Sequence, residues 1–428
     1  VKKDAKLFVR SHSFAKGGQY FDGESLRAAS QAPDGTIVAV GSVQHSATSG
    51  ICSGCDAGHV VWMDGGGNVL RTGRYSPFSS VSFYDLDVRA DGSVAAIGMH
   101  KSYQGKNARG VFARFDELGT NLVARDLYPS GYKPSVWRLL ASMARYGKDK
   151  YVVAGYVKSG SEYFTWLQQI DATTGKQLSS PAYAKNVGAF NDVAVSGNGR
   201  IGAATDRGYV AVYEGTKSKA FIVNIQPITG RDIRTIVPTY DTGFAVAGWS
   251  AKGSFAAKIN AANKVAWFRE YDGGGADQIW GISRLPDGRF ALAGHAYNAK
   301  NGAELRLLTL AADGGKLTDV LVSGSRDEVF YGLTTLQDGT LFAVGASKLQ
   351  KQKYGYYHYD SIVARFSGWG HDKCVKAGFC ADVTVKSCID GNPCTIDSCT
   401  PGKGCTNAVV NDGTVCGTAK VCKSGKCG

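Results

Sequence analysis

The sequence predicts an all-β protein built as a closed ring of repeats, with a small cysteine-rich module at its C-terminal end. Three observations carry this. A hairpin ending in Ala-x-Gly, or a variant of it, recurs seven times, closing at Gly41, Gly98, Gly155, Thr205, Gly248, Gly294 and Gly345. The closing positions are spaced by 57, 57, 50, 43, 46 and 51 residues, and strand-like repeats of about 40–50 residues are the mark of solenoids and propellers. Each unit holds four apolar runs; in the sixth they cover residues 279–285, 289–295, 305–311 and 316–321. Four short antiparallel strands repeated seven times predict a seven-bladed β-propeller, its first strands innermost and its fourth outermost.

The hairpins have a local cause. Asp34-Gly35, Asp91-Gly92, Asp287-Gly288 and Asp338-Gly339 separate the first two runs of their units. Glycine accepts the positive φ of a tight turn, so Asp-Gly between apolar runs is a hairpin signal. Lys148-Asp149, Asn198-Gly199 and Asp241-Thr242-Gly243 are the weaker copies. The closing glycine suits a place where two strand backbones approach closely. Over residues 267–294 the chain reads W-F-R-E-Y-D-G-G-G-A-D-Q-I-W-G-I-S-R-L-P-D-G-R-F-A-L-A-G. This stretch resembles the bacterial and archaeal β-propeller repeat proteins with Asp-Gly-centred repeats. The resemblance covers residues 1–370, with the third and fourth copies departing from the pattern. It implies the fold, and it implies little about chemistry, because that family serves mixed roles.

The seventh unit has three runs of its own, at 331–336, 340–346 and 361–366. The isolated run 7–14 is therefore expected to supply its fourth strand, which would remove an exposed sheet edge. The domains then divide as 1–370 for the propeller and 371–428 for the cysteine-rich module. Short first-to-second and third-to-fourth turns, such as Asp64-Gly65-Gly66-Gly67-Asn68 and Asp313-Gly314-Gly315, share one face. The other face carries the second-to-third loops and the connections between blades. Its insertions are longest at 42–58, 99–110 and 346–360, in the adjacent blades one, two and seven, and almost absent at Asp206-Arg207 and Ala251-Lys252. Long loops on a rigid scaffold are where binding sits.

That crest supplies the candidate ligand-binding residues. Blade seven offers Lys348, Lys351 and Lys353, with Tyr354, Tyr356, Tyr357, His358 and Tyr359; blade two offers Lys101, Tyr103, Lys106 and Arg109. Aromatic faces mixed with cations suit an anionic glycan, and the same mix would meet nucleic-acid phosphates and bases. The plainer reading is an extended strand with alternating tyrosines beside solvated lysines. Blade one reads His45-x6-Cys52-x2-Cys55-x3-His59. Two thiolates and two imidazoles would make a closed, structural zinc site. In an oxidising compartment Cys52 and Cys55 would instead form a small disulfide loop. His100 and His295 follow closing Ala-x-Gly regions without a legible acid–base partner. Asp232, Asp277 and Asp327 recur before innermost strands, which argues for structural caps. No G-x-S-x-G elbow, P-loop or His-Glu-x-x-His is present.

Composition changes at His371. Nine of the 11 cysteines follow: Cys374, Cys380, Cys388, Cys394, Cys399, Cys405, Cys416, Cys422 and Cys427. So small a module would be stapled by disulfides, which implies a secreted or surface location. The segment C-I-D-G-N-P-C-T-I-D-S-C-T-P-G-K-G-C resembles cysteine-rich repeats of secreted myxobacterial proteins. Nine is odd, so one thiol pairs elsewhere, stays free or links two chains. Asp390, Asn392 and Asp397 would serve as calcium ligands or, more simply, as turn residues.

Net charge is +13. The module holds seven Lys and five Asp, leaving the propeller 42 of the 49 basic residues and 31 of the 36 acidic ones. A basic propeller favours anionic partners. No run reaches the ~18 apolar residues of a membrane-spanning helix. The sequence reading is thus a secreted or cell-surface adhesion protein that needs no cofactor and presents its crest to an anionic glycan or surface partner. A polysaccharide hydrolase or lyase working in the central depression is the alternative. A subunit of an extracellular assembly, joined through the cysteine-rich module, is the third reading.

Overall fold

The computed structural model describes residues 6–12, 24–44, 56–75, 80–101, 108–128, 137–159, 162–179, 182, 187–215, 220–225, 232–271, 277–298, 302–322, 327–351, 357–366, 395–400, 404–409, 415–417, 420–424 and 426–427. After β1 (Lys6–His12), blade one holds β2 (Glu24–Gln31), β3 (Ile37–Gln44), β4 (Asp56–Met63) and β5 (Val69–Tyr75). Blade two holds β6 (Ser80–Val88), β7 (Val94–Lys101), β8 (Ala108–Phe115) and β9 (Asn121–Leu127). Blade three holds β10 (Trp137–Arg145), β11 (Lys150–Ser159) and β12 (Glu162–Asp171). Blade four holds β13 (Phe190–Val195), β14 (Ile201–Thr205), β15 (Tyr209–Tyr213) and β16 (Phe221–Asn224). Blade five holds β17 (Asp232–Pro238), β18 (Phe244–Ser250), β19 (Gly253–Ile259) and β20 (Val265–Tyr271). Blade six holds β21 (Gln278–Arg284), β22 (Phe290–Asn298), β23 (Gly302–Leu310) and β24 (Lys316–Val322). Blade seven holds β25 (Glu328–Thr335), β26 (Leu341–Lys351) and β27 (Tyr357–Phe366), and β1 lies antiparallel on the outer edge of β27, from Lys6 opposite Phe366 to His12 opposite Ser361.

Seven apolar seams, one between each pair of neighbouring blades, make the core. Successive residues of a strand point to opposite faces, so Val38 and Val40 enter the seam with blade two while Ile37 and Ala39 enter the seam with blade seven. This is why the second and third strands read as continuous apolar runs rather than alternating ones. The seam that joins the last blade to the first packs Leu336, Phe342, Val344 and Val363 against Leu26, Ile37, Val61 and Met63. All-β and seven-bladed, the fold is as the repeats predict.

Three details differ from the sequence reading. The Asp-Gly pairs are not the central residues of two-residue turns. Gly35 N–H donates to the Ala32 carbonyl and Ala32 N–H to the Thr36 carbonyl, with Gly35 at φ 89° and Asp34 Oδ1 accepting Thr36 N–H at 2.9 Å. Glycine therefore follows a four-residue turn as a left-handed bulge residue, the common three-residue hairpin solution. Of the three weaker copies, Asn198-Gly199 keeps the positive φ on its glycine (81°), while in the other two it falls on Gly147 (69°) and on Thr242 (60°). Second, blade three has three regular strands. Its fourth position is held by residues 177 and 182 through isolated bridges to Ile170 and Leu167, with Gln168 Nε2 donating to the Ser179 carbonyl in place of a ladder bond. Pro181, in the middle of that segment, has no N–H to give a ladder. Third, the insertion at 346–360, expected as a long loop, mostly continues the hairpin, as the plainer reading of its tyrosines had it: Ser347 faces Asp360, Lys348 faces Tyr359, and Lys351 faces Tyr357.

In the C-terminal module β28 (Thr395–Thr400) pairs with β29 (Gly404–Val409), and β31 (Lys420–Lys423) pairs with β30 (Val415–Gly417) and β32 (Lys426–Cys427). The registers set Cys399 opposite Cys405 and Cys422 opposite Cys427. Cys374, Cys380, Cys388 and Cys394, with Asp390 and Asn392, lie outside the described residues.

The closing glycines make the sharpest structural prediction. A Cβ on Gly294 would stand 1.9 Å from the Gln278 carbonyl oxygen, whereas one on Gly197 would meet nothing within 4 Å. Gly294→Ala is expected to lower stability by about 2–4 kcal/mol and Gly197→Ala to leave it nearly unchanged, read from urea midpoints. If β1 latches the ring, deleting residues 1–12 uncovers the β27 edge. The midpoint should then fall, and light scattering should show self-association.

Candidate functional site

Each innermost strand carries a β-bulge at the same place. The register shifts between Leu26 and Ala28, Phe83 and Asp85, Leu140 and Ser142, Phe190 and Asp192, Ile233 and Thr235, Ile279 and Gly281, and Phe330 and Gly332. The residue before each bulge is large, apolar and fully buried. It sits opposite the closing position of the second strand: Leu26 faces Gly41, and Phe330 faces Gly345. The carbonyl preceding that apolar residue fills the space where the glycine lacks a Cβ, at 1.8–1.9 Å in six blades. A backbone pressed that close cannot keep the pleat, and the extra residue is turned out of the ladder. The seven residues turned out are Arg27, Tyr84, Ala141, Asn191, Arg234, Trp280 and Tyr331. They line a cavity of about 450 Å³ in the central channel. Blade four keeps the bulge with Thr205 at the closing position, opposite Phe190, the first residue of its strand; Gly188, two residues earlier, has φ 92°.

The cavity wall is unevenly furnished. On blades five, six, seven and one, rings and guanidiniums contact one another in series, the ring pairs tilted or edge-to-face. Arg234 lies 4.3 Å over Trp249 and 4.8 Å over Trp280; Trp280 meets Trp249 at 5.1 Å and Tyr331 at 5.4 Å; Arg27 lies 3.9 Å over Tyr331. Tyr84 and Tyr156 face them from blades two and three. Arg234 also donates to Asp232 at 2.5 Å, and Asn191 Nδ2 donates to the other Asp232 oxygen at 2.9 Å. Burial opposes both charges, pushing Asp232 up to about 7 and Arg234 down. Arg27, in contrast, has no hydrogen bond or ion pair among the described residues.

Below this belt, Ser142 Oγ stands 2.9 Å from Asp85 Oδ2 and 2.5 Å from Asp192 Oδ1. A hydroxyl has one proton to give, so satisfying both contacts requires a proton on one of the carboxyls. Desolvation and the neighbouring Asp192 push Asp85 up to about 7, and desolvation raises Asp192 as well. Both are also held by backbone N–H groups: Leu86 and Met143 donate to Asp85, Val193 and Ile236 to Asp192. The cluster thus ties blades two to five around the channel.

The sequence-derived candidates fare unequally. Tyr103, Lys106, Lys353, Tyr354, Tyr356, His45, Cys52 and Cys55 lie outside the described residues. Lys348, Lys351, Tyr357 and His358 are placed by backbone alone, in the extended β26–β27 hairpin, and Tyr359 there is exposed. Arg109 is not a free cation. It donates to Asp126 at 2.9 Å and lies 5.3 Å over Tyr128, while His100 Nδ1 contacts the other Asp126 oxygen at 2.9 Å. Lys101 ends β7, opposite Ser80. His59 is fully buried in β4, its basicity driven down to about 3 by desolvation. Among the described residues no cluster of metal-ligating side chains occurs. Asp277 and Asp327 are the expected caps. Asp277 accepts Tyr297 N–H at 3.1 Å and pairs with the buried Arg306; Asp327 accepts Ala303 N–H at 3.0 Å. Asp232 differs: it backs the cavity wall through Arg234 and Asn191, which donate to it. His295, opposite Gln278 on β22, is held down to about 4 by burial.

The lumenal ring escaped the sequence reading, yet a signal for it exists. Each of its members stands fourteen residues before its closing position: 27 and 41, 84 and 98, 141 and 155, 191 and 205, 234 and 248, 280 and 294, 331 and 345.

Comparisons with known proteins bear on fold more than on role. The chain is similar to a structure described as U3-55K (TM-score 0.55, 12% identity, 84% of this chain and 98% of that one). It is similar to the RRP9 WD40 repeats (0.54, 12%, 85% and 99%) and to a chain of a mitotic checkpoint complex (0.55, 11%, 85% and 92%). At such identities the likeness is one of fold alone. Residues 387–409, which include Cys388, Cys394, Cys399 and Cys405, match a family described as the Dictyostelium (slime mold) repeat. No curated protein matches the chain.

The shared proton makes a pH prediction. Asp85 binds its proton more tightly folded than unfolded, so its stabilisation is present at low pH and is lost as pH rises through about 7. His59 and His295 act the opposite way, but only below about pH 6.5. Between pH 6.5 and 8.5 stability should fall by about 1 kcal/mol for Asp85, and the slope should shrink in Asp85→Asn. Parallel urea midpoints for the two proteins in that window would contradict the assignment.

Proposed function

We propose that the protein is a non-catalytic binding protein, secreted or displayed at a cell surface, that meets its partner on the face carrying the long loops. The observation that carries this is the belt of Trp249, Arg234, Trp280, Tyr331 and Arg27 at the channel. Apolar pockets with a few convergent polar groups are the usual form of a ligand site. The partner class is an anionic glycan, in keeping with a propeller of net basic charge and with stacked rings that accept sugar C–H faces. The lysines and tyrosines of residues 348–359 would extend the contact outward. The disulfide-stapled tail would serve as a stalk or assembly contact. The Cys399–Cys405 and Cys422–Cys427 registers support that pairing, and the oxidising compartment it needs supports the location.

A polysaccharide-cleaving enzyme is the second reading, favoured by the two carboxyls with raised pKa in the channel. Their oxygens, however, are engaged by four backbone N–H groups and the Ser142 hydroxyl. Groups so occupied are poorly placed to attack or protonate a glycosidic bond.

A glycan array separates these readings. Wild type is expected to retain acidic polysaccharides uncleaved, and Trp280→Ala to weaken retention at least tenfold. Tyr356→Ala/Tyr357→Ala is expected to weaken it less. Release of reducing sugar would favour the enzyme, and retention of neutral glycans alone would remove the anionic partner.

A further inference from the structure

The cavity holds an asymmetry that the general reading leaves unused. Its wall carries two guanidiniums and the carboxyl groups of Asp85 and Asp192, with Asp232 just behind. Arg234 is committed to Asp232. Arg27 has its guanidinium carbon 3.9 Å over the centre of the Tyr331 ring, with no hydrogen bond or ion pair to another described residue, and it acts on the Asp56 carboxyl only through space. Stacking fixes the plane of a guanidinium and leaves its edge N–H groups free, which is how an arginine is prepared for a planar, bidentate acceptor. The same wall carries the hydroxyls of Tyr84, Tyr156 and Tyr331, with Tyr84 close enough to feel the Arg27 charge, and the amide of Asn191, whose Nδ2 donates to Asp232 and to the Ile233 carbonyl and whose oxygen is an acceptor.

From this juxtaposition we infer that Arg27, stacked on Tyr331, is the receptor for a single carboxylate carried by a sugar ring, so that the channel is a subsite for one uronate residue of an acidic polysaccharide. The inference rests on the proposed binding role and narrows it. Charge and shape together favour the carboxylate. Its two coplanar oxygens match the guanidinium fork, and its single charge is opposed less by the surrounding carboxyls, Asp56 near Arg27 among them, than the double charge of a phosphate ester. The remaining wall selects the sugar. Three tyrosine hydroxyls and the Trp280 and Tyr331 rings suit a polyhydroxylated ring better than the plain methylene stem of an acidic amino acid. At about 450 Å³, the cavity has the size of a small-ligand pocket rather than of a protein-docking groove.

The test is saturation-transfer NMR on the full chain with four probes at equal concentration: glucuronate, glucose, glucose 6-sulfate and N-acetylglutamate. Glucuronate should give the strongest transfer. Arg27→Ala should lower it at least tenfold, and Arg27→Lys should not restore it, since an ammonium cannot form the planar fork. Lys252→Ala, which removes an exposed charge from another blade, should leave it at the wild-type level. If Arg27→Ala does not fold, Arg27→Gln is read in its place. Transfer to glucose 6-sulfate or N-acetylglutamate at or above the glucuronate level would overturn the inference, as would an unchanged signal in Arg27→Ala. Retention of polygalacturonate by Arg27→Ala would overturn the subsite while leaving the broader binding role standing. Failure of wild type to retain any acidic polymer would remove both.

Discussion

A missing Cβ on the second strand of six of the seven blades is the constraint from which the rest follows. In six of seven blades the innermost backbone fills that gap, its carbonyl oxygen within 2 Å of where a side chain would begin. The close approach buries the apolar residue beside it and forces the next residue out of the ladder. One steric fact thus sets both the seams that hold the blades together and the ring of side chains that faces the channel. Function is free to vary at the ejected position because packing does not depend on it: arginine, tyrosine, alanine, asparagine and tryptophan all occupy it.

The electrostatics follow the same division. Charges that stabilise the fold are paired and tied to backbone. Arg306, fully buried, is shared between Asp277 and Asp319, and Asp85 and Asp192 accept amides from neighbouring blades. Charges in the channel are only partly compensated. A buried carboxyl against an arginine, as at Asp232 and Arg234, costs desolvation on both sides. Such an arrangement is more easily understood where a ligand completes it than where stability alone is served.

Much of this was legible in the sequence, and the parts that were not have physical reasons. Asp-Gly turns and closing glycines are read easily because few residues tolerate a positive φ or a close backbone approach. Blade count and strand order come from their spacing. The β1 pairing was suggested by a seventh unit one strand short. The channel residues were missed because a bulge breaks the period of two on which strand reading depends. Trp280 looks like one more apolar residue of its run, and Arg27 looks like a solvated cation. Arg109 was misread for a related cause: its partner Asp126 lies on the next strand, close in space and seventeen residues away in sequence. The irregular edge of blade three was hidden because Pro181 interrupts a run that otherwise resembles a strand.

The most direct test of the account is hydroxyl-radical footprinting of the protein with and without an acidic polysaccharide. Side chains lining the channel, above all Trp280, Tyr331, Tyr84 and Tyr156, should become protected, while Leu118 and Phe221 on the outer strands and turns should not change. Protection confined to the outer surface, with the channel ring as reactive as before, would contradict it.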